Sequence, residues 1–144
     1  MATRIHKMLV DLIARKMREK RYTIVAMEGN LLPLPEDEKM PIPWKIRRHR
    51  PDVIGIRMRT RRVCIGEAKT HDDLFSKRTA AQLSDFADII CKSSGEKTEL
   101  IIGVPLHSRV TLLQLLERIN LPAEDISIIL LPEELVDNED KDLI

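Results

Sequence analysis

The stretch from Arg50 to Lys69 constrains the fold of this chain more than any other. Val53-Ile54-Gly55-Ile56 and Val63-Cys64-Ile65-Gly66 read as two strands joined by a tight, basic turn. A hairpin turning at Arg59-Thr60 sets Asp52 opposite Glu67, Ile54 opposite Ile65 and Ile56 opposite Val63. Side chains alternate faces along a strand. Asp52, Ile54, Ile56 and Met58 therefore share a face with Val63, Ile65, Glu67 and Lys69. That face is apolar along its middle and ends in two carboxylates and an ammonium. The other face carries Val53, Gly55, Arg57, Cys64, Gly66 and Ala68, mostly small residues.

Two carboxylates at the end of a buried stripe repel each other and lose hydration, and both effects disfavour ionisation. A divalent cation relieves this, because hard cations take oxygen ligands of this kind. Lys69 lies two residues beyond Glu67 on the same face, beside the position of an attacked phosphate. Metal and lysine together are the equipment for hydrolysing a phosphodiester.

Pro51-Asp52, then fourteen residues, then Glu67-Ala68-Lys69 resembles the signature of the PD-(D/E)XK nuclease superfamily, which includes restriction endonucleases and archaeal Holliday-junction resolvases. The motif is short and degenerate; the hairpin register adds specificity. Outside the motif the likeness covers about residues 5 to 131, at the level of element order only. It implies a restriction-endonuclease-like core and a metal-dependent DNA endonuclease of the structure-selective kind. Asp52 and Glu67 would bind Mg²⁺ or Mn²⁺ with the Ala68 carbonyl, and Lys69 would position the attacking water. Relatives with an extra acid before the Pro-Asp pair make Glu28 a candidate metal ligand, against a surface acid before the Gly29-Asn30 turn. Gln82 corresponds to a glutamine that several such families carry near the catalytic residues as Q-x-x-x-Y, but here Phe86 stands where the tyrosine would be. The resemblance also implies a homodimer.

Net charge is only +1, yet the charges are segregated. Lys45, Arg47, Arg48, Arg50, Arg57, Arg59, Arg61 and Arg62 surround Asp52, the sole acid of that window. Wrapped around a carboxylate pair, such a window suits a polyanion, so Lys45, Arg47, Arg48, Arg50, Arg59, Arg61 and Arg62 are the candidate DNA contacts. Charge runs are more often solvated faces. The segment Glu133 to Asp142 is acidic and is expected to be a mobile tail after a single domain over 1–132. Cys64 and Cys91 lack C-x-x-C or zinc spacing, which argues against a cysteine-bound cluster and suits a reduced, cytoplasmic protein. No apolar run approaches 18 residues, so no membrane partner is expected.

The remaining elements follow from periodicity. A helix is expected over 4–20 with Thr3 as cap, and a strand over 22–27. Residues 31–50, with four prolines, form a long loop. Trp44 in that loop is read as packing rather than as a base-stacking platform. After a polar connector, in which His71 is read as an exposed histidine and Asp72 as a cap, come a helix over 79–92 and a strand over 100–104. A helix from 108 or 111 to 120 and a strand over 127–131 complete a three-layer α/β sandwich with a mixed sheet and right-handed parallel crossovers. Two other functions use the same residues. One is a catalytically inactive nuclease-fold protein that binds nucleic acid or serves in an assembly. The other is purely structural, with Glu67 paired to Lys69 and Asp52 capping a turn.

Overall fold

The computed structural model describes residues 3–29 and 39–135. In chain order the elements are α1 (Arg4–Glu19), β1 (Thr23–Met27), β2 (Val53–Arg57), β3 (Arg62–Ala68), α2 (Lys77–Ala87), β4 (Glu99–Pro105), α3 (Arg109–Arg118) and β5 (Ile126–Leu131). The five strands form one sheet in sequence order. The β1–β2 and β2–β3 pairs are antiparallel, whereas β3–β4 and β4–β5 are parallel. The β2–β3 register pairs Val53 with Gly66, Ile54 with Ile65 and Ile56 with Val63, as the sequence requires.

The layers follow from chain connectivity. Parallel neighbours need a crossover, and right-handed crossovers running in one direction place their helices on one face of the sheet. α2 and α3 accordingly share a core with Ile65, Leu100, Ile102 and Val104. α1 covers the opposite face, where Leu9, Val10, Ile13 and Met17 pack on Val53, Cys64, Ala68 and Ile101. The glycines of this face make that approach possible. A Cβ on Gly66 would lie 2.4 Å from Ile13 Cγ2, and one on Gly103 would lie 3.0 Å from Ile13 Cδ1. All seven residues of β4 are buried, as expected for a strand covered on both sides.

Local signals set the ends. Thr3 caps α1 through its side chain, accepting from the His6 amide at 3.1 Å. Ser76 caps α2 in the same manner and starts it two residues earlier than the apolar stripe suggests. α2 ends at Ala87 rather than near Lys92, because the chain turns there so that Ile90 bridges to Lys97. Past α3, Asn120 takes a left-handed φ of 61°, a common way to stop a helix. Three expectations are corrected. Trp44 is 52% exposed and not core, since the 39–50 segment lies over the surface. His71 is half-buried, its Nδ1 2.9 Å from the hydroxyl of fully buried Ser108. Asp73, not Asp72, accepts from the Thr70 amide and hydroxyl, both at 2.9 Å. Residues 31–38 of the 31–50 loop and the segment 136–144 lie outside the described residues. Among those described, no helix is long and apolar enough to cross a membrane.

Candidate active site

The hairpin returns Asp52, before β2, and Glu67, near the end of β3, to one end of the sheet. There His6, Arg50, Asp52, Glu67, Ala68, Lys69, Asp73, Ser76, Arg78, Thr79 and Gln82 line a cleft of about 380 Å³. Each wall has a local cause. Pro51 lacks an amide hydrogen, so it suits the position just before a strand. Alternation along β3 turns Cys64 and Ala68 toward α1 and Ile65 toward α2, and so directs Glu67 to the α2 side. The first turn of α2 contributes Arg78 and Thr79, and its second Gln82, so the N-terminal turn of that helix borders the cleft.

Glu67 occupies a core position and is 2% exposed. Its Oε2 is 3.3 Å from Lys69 Nζ, and its Oε1 is buried with no hydrogen-bond partner. Desolvation, and after it the negative charge of Asp52, push the Glu67 carboxyl up to about 8, against the pull of Lys69. Asp52 Oδ2 accepts from the Ala68 amide at 2.8 Å, and Oδ1 stands 3.3 Å from His6 Nε2. The hydrogen bond to Asp52 raises the His6 imidazole above its usual value, against burial, which lowers it. Lys69 donates to Gln82 Oε1 at 2.6 Å and is thereby held between Glu67 and α2.

Asp52, Glu67, Ala68, Lys69 and Gln82 are therefore brought together. Glu28 is not among the cleft residues: its side chain is exposed, and its amide donates to the Asp52 carbonyl at 3.0 Å. Of the basic window only Arg50 lines the cleft. Arg47 pairs with Asp88 at 3.2 Å beyond the C-terminal end of α2, and Lys45 and Arg48 are exposed nearby in sequence. The hairpin carries Arg59, Arg61 and Arg62 to the opposite end of the sheet, roughly 17 Å away at ~3.3 Å per residue. The window is thus not one surface. Sequence reasoning missed His6, Asp73 and Arg78. His6 lies on the first turn of a helix whose apolar stripe drew attention elsewhere, and only the docking of α1 brings it to Asp52.

The donors suit a divalent cation. Among the described residues no three His, Cys, Asp or Glu side chains are grouped to hold a metal alone. Two carboxylates and a main-chain carbonyl, completed by water and substrate oxygens, are the usual set for Mg²⁺. The orphaned Glu67 oxygen is the observation that fits such an ion. A larger hollow of about 440 Å³, lined by Lys20, Arg62, Lys97 and Glu99, lies at the other end of the sheet. There buried Glu99 is satisfied by Tyr22, 2.8 Å away, and by Lys20, and the other acid of the lining, Asp125, is exposed. Comparison with protein-family models, with curated proteins and with solved structures finds no match to this chain.

Proposed function

We propose that this protein is a divalent-cation-dependent DNA endonuclease of the PD-(D/E)XK kind. The observation that carries the reading is Glu67, a core carboxyl with one orphaned oxygen beside a second carboxylate and a tethered lysine. A structural role alone does not account for it. The Glu67–Lys69 pair of that reading exists, yet the Glu67 carboxyl remains high and Oε1 remains unpaired. An uncompensated buried carboxyl is costly, and two close acids make it more so.

Asp52 and Glu67, with the Ala68 carbonyl, would hold Mg²⁺ or Mn²⁺. The cation would supply Lewis-acid polarisation of the phosphate and neutralise developing charge. Lys69, aimed by Gln82, orients the attacking water and stabilises charge in the transition state. Arg50, Arg78 and the amides at the start of α2 bind the phosphate. Contacts from Arg50, Arg78 and the start of α2 to phosphates favour backbone and shape over base sequence.

The test is cleavage of single-stranded, duplex, flapped and four-way DNA with Mg²⁺ or Mn²⁺. Cleavage of at least one substrate is expected, lost in the double variant Asp52→Asn, Glu67→Gln. Cleavage that survives both substitutions overturns the assignment. DNA binding without any cleavage selects instead the inactive, nucleic-acid-binding alternative.

A further inference from the structure

Five non-glycine residues among those described have a left-handed backbone: Arg21 (φ 70°), Arg47 (47°), Arg48 (74°), Arg61 (66°) and Asn120 (61°). Asparagine is an ordinary occupant of that region, whereas arginine pays a steric cost there that glycine and asparagine largely avoid. Four of the five positions hold arginine, so the side chain is retained at the expense of the backbone. Such outliers point from strain toward function.

Arg21 and Arg61 lie at the same end of the sheet, remote from the cleft. Arg21 sits in the turn between α1 and β1, and Arg61 in the hairpin turn after β2. The two turns are joined by Arg57, whose guanidinium donates to the Lys20 carbonyl at 2.9 Å and lies over the Tyr22 ring, 4.5 Å from its centroid. Beneath them Lys20 and Arg62 are committed to buried Glu99. That inner layer fixes the turns. Arg18, Arg21, Arg59 and Arg61 stand outside it, exposed and with no ion pair among the described residues. Of the exposed acids at this end, Glu19 lies 3.8 Å from Lys16, and Asp125 borders the hollow beside Lys20 and Arg62.

We propose that this end of the sheet is a second nucleic-acid-backbone surface, gripped by Arg18, Arg21, Arg59 and Arg61, so that one molecule holds two separate backbone segments. Arginine forks match phosphate oxygens, and a phosphodiester chain presents successive anions to such a group. The distance from the cleft, roughly 17 Å along β2 and β3, is too long for both sites to contact the same phosphate. The inference rests on the proposed function only for the class of ligand. Binding is measured without metal and cleavage is scored separately, so each can fail alone.

The test uses the full chain in EDTA with a short labelled duplex, followed by fluorescence anisotropy across a salt series. Arg21→Asn with Arg61→Asn removes two cations while leaving residues that accept the left-handed backbone. The variant is expected to melt no lower than wild type, yet to bind more weakly. Its salt slope should fall by about 2, so that affinity changes about tenfold less between about 50 and 200 mM salt. Arg50→Ala with Arg78→Ala should weaken binding independently. Energy transfer between donor- and acceptor-labelled duplexes mixed with wild type should disappear in either double variant. An unchanged affinity and slope in Arg21→Asn, Arg61→Asn overturns the proposal, as does failure of wild type to bind the duplex. A change in the sedimentation of the free variant also overturns it, because the surface then contacts a second copy of the chain.

Discussion

At the scale of single residues, Glu67 sets the behaviour of the cleft. Burial and the neighbouring Asp52 charge push its carboxyl up from about 4.5 to about 8. Between those values the folded state holds a proton that the unfolded state has released. Stability therefore falls as pH climbs from about 5 to 8, by up to a few kcal/mol. Urea unfolding in EDTA should show this decline, and Glu67→Gln should flatten it while stabilising the protein at pH 8. A decline of equal size in the variant would assign it to another group. On the proposed function Lys69 would separate chemistry from binding, because it touches Glu67 and Gln82 and is not itself an oxygen ligand. Lys69→Ala should lose about a hundredfold in single-turnover cleavage. Its DNA affinity in Ca²⁺ should change little. Equal loss of both would make Lys69 a DNA contact.

At the scale of elements, the cleft depends on how α1 seats against the sheet, since α1 carries His6 to Asp52. The seat is the glycine pair under Ile13. Gly66→Ala would drive a Cβ into Ile13 Cγ2 at 2.4 Å and Met17 Cε at 2.9 Å. Overpacking of this kind typically costs about 1–3 kcal/mol. The milder contact at Gly103 meets the far end of a flexible side chain and should cost less. Chemical denaturation of Gly66→Ala, Ile13→Ala and the double variant checks the mechanism. If the clash is the cause, the double variant loses less stability than the two single changes added together. Strict additivity would place the fault elsewhere in the strand.

For the whole molecule, the two ends of the sheet carry different electrostatics. One end buries the under-compensated Glu67 carboxyl beside Asp52, and at the other the satisfied Glu99 meets Lys20 and Arg62. A ligand that binds only the folded state raises stability by mass action, by about 2.7 kcal/mol at a hundredfold excess over Kd. At this chain length that corresponds to a rise in melting temperature of roughly 5–10 °C. Mn²⁺ should produce a shift of this order in wild type and none in Asp52→Asn, Glu67→Gln. Equal shifts in both proteins would locate the cation outside the cleft.

The amino-acid sequence by itself determined the hairpin, its register, the element order and the layer count. Each of these is read from local quantities: a period of two in Ile54, Ile56, Ile65 and Glu67, a period of 3.6 in Leu9, Ile13 and Met17, and a cap at Thr3. Pairing Asp52 with Glu67 was legible for the same reason, since one register serves the whole hairpin. What only the tertiary structure decided lies between elements distant in sequence. His6 reaches Asp52 because Ile13 sinks onto glycine, and Gln82 reaches Lys69 because α2 packs through Leu83 and Phe86 on the Ile65 face of the sheet. The basic window looked continuous because sequence distance ignores the reversal of direction in a hairpin. Folding sends Arg50 to one end of the sheet and Arg61 to the other, and only that reversal makes two surfaces from one run of charge.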